Sequence, residues 1–265
     1  MAGRHRDIDL SAAVSKVPEV TAYFWIVKVL TTALGESTSD FLVREINPYV
    51  AVGAGFVAFA IAIITQFSVR RYMTWVYWIA VAMVAVFGTM VADAMHVALH
   101  VPYAVSTMLF LVLVAAVLCL WYASERTLSI HSITSRRREL FYWATVILTF
   151  ALGTATGDLT ATTLGIGYLA SGLLFTALIA VPAIGYRVGL NGVAAFWIAY
   201  ILTRPIGASF ADYFGKPESA GGLGFGDGPV CLVTGLAVAC LVGYLAVTHK
   251  DRPGVRAAAR ERTLV

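Results

Sequence analysis

Residues 23–40 read YFWIVKVLTTALGESTSD, and the chain writes the same pattern four times. Trp25 is followed ten residues later by Gly35, and Asp40 comes five after that. The spacing returns as Trp78–Gly88–Asp93, Trp143–Gly153–Asp158 and Trp197–Gly207–Asp212. An aromatic residue precedes each tryptophan (Phe24, Tyr77, Tyr142, Phe196), and a small residue precedes each aspartate (Ser39, Ala92, Gly157, Ala211). Four gapless matches to one template identify an internal repeat, which decides the architecture before any single residue does.

Composition identifies the medium. Of 265 residues 59% are hydrophobic and 13% charged, too few charges to cover a water-facing globule. Apolar segments of roughly 20 residues recur, the length that crosses a hydrocarbon core. The expected fold is all-α: a polytopic membrane protein with eight transmembrane helices, near 21–41, 49–67, 74–97, 103–122, 140–161, 167–186, 193–213 and 229–248. Each repeat supplies two of them, so the pattern predicts four parallel helix hairpins. The first and last pairs of repeat tryptophans stand 53 and 54 residues apart and the middle pair 65, which predicts two pseudo-symmetric halves. The expected organisation is a tail at 1–17, a half at 18–123, a connector at 124–139, a half at 140–248 and a basic tail at 249–265. Pro182, late in the sixth span, should end or kink it.

Charge sets the orientation. Fifteen Lys and Arg fall to one side, in the tails, the connector and the even-to-odd loops, among them Arg4, Arg6, Lys16, Arg70, Arg71, Arg136, Arg187, Arg256, Arg260 and Arg262. Only Arg44 and Lys216 fall to the other. The positive-inside rule then makes both termini cytoplasmic in a multi-pass membrane protein. No cleavable signal is read in the first twenty residues. Cys119, Cys231 and Cys240, odd in number and without C-x-x-C spacing, are expected to be small buried hydrophobes.

The opening Lys16-Val17-Pro18-Glu19-Val20-Thr21, the segment Arg137-Arg138-Glu139-Leu140-Phe141-Tyr142-Trp143 and the tandem two-span repeats with one tryptophan each resemble a family of bacterial membrane-anchored proteins with no established activity. The resemblance covers about residues 16–247 and implies the architecture and a bacterial origin.

Within the repeat, Gly35/Ser39, Gly88/Ala92, Gly153/Gly157 and Gly207/Ala211 are small residues four apart, the spacing that lets helix backbones approach in lipid. Trp25, Trp78, Trp143 and Trp197 lie about 22 Å along the helix from their aspartates and are expected to form a belt at the headgroups. The aspartates are costly in a membrane, roughly 3 kcal/mol each on insertion scales. Four at matching heights suggest a shared polar cavity. Glu36 stands one turn from Asp40, and Asp93, His96 and His100 share one helical face, a carboxylate–imidazole spacing suited to a divalent metal. Five acids (Glu36, Asp40, Asp93, Asp158, Asp212) against two bases (Lys28, Arg204) favour a cation by Coulomb's law.

The run Gly221–Gly228 has no following Lys-Ser/Thr and no strand before it, so it reads as an outer loop, not a phosphate cradle. Neither G-x-S-x-G nor H-E-x-x-H occurs, and no enzyme is expected; a metal-dependent enzyme would rest on Asp93, His96 and His100 alone. The basic tail lacks interleaved aromatics, which points to lipid headgroups and not nucleic acid. The expectation is a secondary transporter of small cations, a divalent metal ion the specific candidate. Glu36, Asp40, Asp93, His96, Asp158 and Asp212 line its site, Lys28 and Arg204 tune its charge, and no cofactor is needed beyond a metal as substrate. The alternative is a non-transporting scaffold in which the repeats serve packing. Either is compatible with a homo-oligomer in the bilayer.

Overall fold

A computed structural model describes residues 15–252; the distal tails, including Arg4, Arg6, Arg256, Arg260 and Arg262, lie outside the described residues. Those residues are helical, with no strand among them. The helices are α1 (Ala22–Glu45), α2 (Pro48–Ser68), α3 (Thr74–Val97), α4 (Tyr103–Glu125), α5 (Arg136–Asp158), α6 (Tyr168–Leu178), α7 (Ala180–Arg187), α8 (Gly192–Gly215) and α9 (Asp227–Thr248). Local chemistry explains the starts. Thr21, Asn47, Ser135 and Asn191 accept hydrogen bonds from first-turn N–H groups of α1, α2, α5 and α8, and Pro48 occupies the first turn of α2.

Among the described residues seven helical stretches are long and apolar enough to cross a membrane: α2, α3, α4, α5 with its extension to Thr163, α6 with α7, α8, and α9. α1 has the same 24 residues as α3 and α8, but its buried face is polar, carrying Lys28, Thr31, Thr32, Glu36, Ser37 and Ser39. The expected sixth span is two pieces. It breaks at Ile179, one turn before Pro182, whose ring nitrogen cannot bond the carbonyl of Leu178.

The helices form two shells. α1, α3, α5 and α8, which carry the repeat pattern, pack α1 on α3, α3 on α5, α5 on α8 and α8 on α1, a closed ring. Outside it α2 lies on α3, α4 on α5, α6 on α8 and α9 on α1. The second helix of each repeat therefore covers the first helix of the next. Outer-shell spans are only 17–22% buried against 56–67% for α3, α5 and α8, and their outward residues, such as Ile61, Leu120, Val181 and Val233, are large, apolar and exposed. That is the surface a bilayer covers. Cys119 and Cys240 are exposed on α4 and α9 and Cys231 is partly so, contrary to the expectation of burial, because these helices belong to the outer shell.

The repeat glycines make the ring. A Cβ on Gly35 would come within 2.8 Å of the Ala85 carbonyl carbon, one on Gly88 within 3.0 Å of Phe150 Cβ, one on Gly153 within 3.1 Å of Pro205 Cδ, and one on Gly207 within 2.8 Å of the Ala33 nitrogen. At each interface the nearest residue also includes the one three positions before the next helix's glycine: Ala85, Phe150, Arg204 and Thr32. One register thus recurs at all four crossings.

The tryptophans correct an expectation. Trp78, Trp143 and Trp197 are buried, and only Trp25 is partly exposed, so they do not form a headgroup belt. Each packs edge-on against the aromatic before it, at 5.1–5.4 Å between ring centroids. That preceding ring then meets the next repeat's tryptophan: Phe24 with Trp78, Tyr77 with Trp143, Tyr142 with Trp197 and Phe196 with Trp25, at 5.6–6.2 Å. Such pairs contribute about 0.5–1.5 kcal/mol beyond their area. Eight interlocked rings close one end of the bundle.

At that same end the chain knots itself together. Tyr72 N–H donates to Ser15 O, Lys16 N–H to Ile133 O and Glu19 N–H to Asp251 O. Lys16 pairs with the buried Glu139 at 2.6 Å, which lies in the first turn of α5 and not in the connector as the expected boundary had it.

Gly207→Ala should lower the unfolding temperature of detergent-purified protein, since about 1–3 kcal/mol is the usual cost of overpacking. Gly53→Ala, where a Cβ meets nothing within 4 Å, should not. Equal behaviour of the two in a thermal melt would remove the close-approach account.

Candidate functional site

Arg204 stands at the centre of the ring. It is fully buried, and Nη2 donates to Glu36 Oε2 at 2.6 Å, to Thr154 Oγ1 at 2.6 Å and to Thr89 Oγ1. Nη1 donates to Thr32 O at 3.3 Å. Glu36, Thr89 and Thr154 each directly follow the glycine of their own repeat, and Arg204 comes from the fourth, where that position is Ala208. One guanidinium thus ties four repeats. Pro205, next in the chain, stands inside α8 and leaves a backbone bond unmade there.

One to two turns beyond, toward the end away from the aromatics, the carboxylates of Glu36, Asp158 and Asp212 converge, with one oxygen of each within 4.8 Å of the others. They come from α1, α5 and α8, three different repeats. Asp158 is the last α-helical residue of α5, which passes into a π-turn at Leu159–Thr163; such bulges are frequent at functional sites. The wider turn is braced by Thr160 Oγ1 on Ser171 Oγ at 2.5 Å and by Thr162 Oγ1 on Asp158 O at 2.6 Å.

Lys216 closes the outer side. Its ammonium pairs with Asp40, and with Asp212 at 3.4 Å. Burial alone would lower its pKa, but the Asp212 and Asp40 carboxylates outweigh that and raise it above the ordinary lysine range. A raised pKa gives stabilisation that is complete below the unfolded value and lost only as pH climbs through the folded one, so the pair is intact at neutral pH. The glycine run behind it is ordered: Leu223, Gly224, Phe225 and Gly226 donate in turn to Tyr213, Lys216, Phe214 and Gly215. Gly221, Gly224 and Gly226 take positive φ in this turn, where a side chain would be strained. Asp227 meets Arg44 at 2.6 Å.

Four of the six expected ion-binding residues thus join one network: Glu36, Asp158 and Asp212 in the cluster, and Asp40 through Lys216. Asp93 is partly buried on α3 and is not one of the triad. The expected metal set is not drawn together. Among the described residues the metal-competent group is Glu36, Asp158 and Asp212. The ring of His96 lies against Tyr103 at 3.7 Å, with Nδ1 3.0 Å from Val101 O, and His100 is exposed in the loop beyond α3. Lys28 does not pair with an acid. It is buried with Nζ over Phe150 at 3.9 Å and over Tyr200 at 4.3 Å. Sequence reading missed Thr89, though it shares a register position with Glu36 and Thr154, and missed Lys216, though it stands four residues after Asp212. A separate cavity of about 770 Å³, lined by Trp25, His131, Pro182 and Phe196 among others, lies at the aromatic end, away from the acids.

Four copies of one family repeat, described as Repeat of Unknown Function (DUF347), match residues 23–72, 76–127, 141–188 and 195–251. The chain belongs to that family. Neither a curated protein nor a solved structure matches it.

Replacing Arg204 by Met should cost about 3–5 kcal/mol, because it leaves the Glu36 carboxylate buried without its partner. The double variant Arg204→Met/Glu36→Met should recover part of the loss in a chemical-denaturation cycle. A double variant less stable than the single would contradict the pairing.

Proposed function

We propose that this chain is an integral membrane secondary transporter of small cations, with a divalent metal ion as the specific candidate substrate. The observation that carries the reading is the convergence of Glu36, Asp158 and Asp212 from three repeats onto one locus, with Glu36 and Asp212 buried and Asp158 partly so. A carboxylate triad in a low-dielectric interior attracts positive charge strongly, and its oxygen donors suit hard cations. Arg204 and Lys216 are internal cations that hold the acids when no substrate does. An entering ion competes with Lys216 for Asp212 and meets Arg204 as the barrier below. Asp40 and Asp93 lie at the same repeat position and line the approach; His96 contributes at its edge.

The architecture we propose is eight spans: α1 and the seven apolar stretches, as four parallel hairpins about an axis along the membrane normal, in two pseudo-symmetric halves. The recurring glycine register supports it. Both termini are cytoplasmic in the bacterial inner membrane, by the excess of Lys and Arg at the end where the chain's two described ends meet. The same register supports a second reading, a non-transporting scaffold in which the glycines only pack helices. That reading predicts that Asp→Asn variants change abundance or stability and no ion flux.

In proteoliposomes the purified protein should take up a cation such as Mn²⁺. Asp158→Asn and Asp212→Asn should reduce the initial rate at least tenfold while keeping the wild-type elution profile. Unaltered flux in Asn variants of Asp40, Asp93, Asp158 and Asp212 would reject the assignment.

A further inference from the structure

Lys28 is a buried amine that the acidic centre does not use. It is 1% exposed, and Nζ has no hydrogen-bond acceptor. Its neighbours explain why this is unusual. Phe150 from α5 and Tyr200 from α8 offer ring faces to it, and Arg204, also from α8, brings a second positive charge. Beyond Tyr200 stand Tyr142 on α5 and Tyr77 on α3, whose hydroxyls are 2.5 Å apart. The ring of Tyr77 lies 5.7 Å from that of Tyr72, and Tyr72 donates to Asp251 at the knotted end of the bundle. On α1 itself, Lys28, Thr32 and Glu36 are spaced i, i+4, i+8 and share one face. Arg204 binds both Thr32 O and Glu36. The amine therefore stands between the acidic centre and the phenol rings of Tyr200, Tyr142 and Tyr77.

We propose that Lys28 is the proton-carrying group coupled to the acidic centre, protonated while the centre lacks its cation and deprotonated when the cation binds. The inference rests on the cation-site reading above. Arginine does not release its proton in proteins, whereas a buried lysine is the basic side chain suited to do so. Cation binding at Glu36, Asp158 and Asp212 adds positive charge on the far side of Arg204 and disfavours the ammonium. The Nζ–H bond then breaks with its electron pair staying on nitrogen. The proton is released to solvent, and Lys28 is left as the neutral amine. By linkage, protonating Lys28 weakens cation binding by the same factor that the cation weakens protonation. Exchange of cation for proton follows.

Calorimetric titration of full-length protein with Mn²⁺, in two buffers of different ionisation enthalpy, counts protons released per ion bound and needs no flux. Wild type should bind and release protons. Lys28→Arg keeps the charge but cannot give up its proton, and should bind while the Lys28 share of the release is lost. Lys28→Met should lose the same share, so one variant serves if the other does not fold. An unchanged proton count in Lys28→Arg or Lys28→Met, with Mn²⁺ still bound, overturns the proposal and leaves the cation site standing. Absence of binding in wild type overturns the cation site, and this inference with it.

Discussion

Close approach at four glycines is the constraint on which the structure depends. In lipid there is no hydrophobic drive between helices, so association comes from packing and internal hydrogen bonds. Gly35, Gly153 and Gly207 each bring neighbouring atoms to distances that a Cβ would not allow, and at Gly88 a Cβ would be tight against Phe150. Because the same register recurs at each crossing and the last helix closes on the first, the four central helices form a ring. The outer helices, apolar and mostly exposed, cover each seam.

Tight crossing puts the positions around the glycines face to face on the axis, and the residues there decide what the interior does. Ten residues before each glycine the rings of the tryptophans and their aromatic neighbours interlock and shut one end. One residue after it stand Glu36, Thr89 and Thr154, all held by Arg204. Five residues after it stand the aspartates, two of which join Glu36 in a triad. A buried ion pair is weak evidence of stability, since removing two charges from water costs more than their attraction often returns. Ionisable residues within membranes are the first place to look for function, and the proposed cation site rests on this network.

Much of this was legible in the sequence because the repeat has no gaps. The all-α class, the positions of the helices and the fourfold repeat follow from one spacing read four times. What was not legible depended on contacts that cross between repeats. The tryptophans looked interfacial by their distance from the aspartates, and no single-helix argument shows that the neighbouring repeat's ring will cover them. Glu139 read as connector because charge and length suggested a loop, yet Lys16 draws it into a buried pair. Asp93, His96 and His100 shared a face by spacing, but the chain turns beyond Val97, and Val101 and Tyr103 engage the His96 ring. Lys216 escaped notice because its loop looked flexible, and only the fold shows the glycines turning back to set the ammonium between Asp40 and Asp212.

Acids from three separate repeats converge inside the bundle, and the proposal is that a cation sits among them. Anomalous diffraction from crystals soaked in Mn²⁺ tests it most directly. A single strong peak is expected, with oxygens of Glu36, Asp158 and Asp212 at roughly 2.0–2.6 Å, and it should disappear in Asp158→Asn. Density at surface carboxylates alone, with the triad and Arg204 undisturbed, would contradict it.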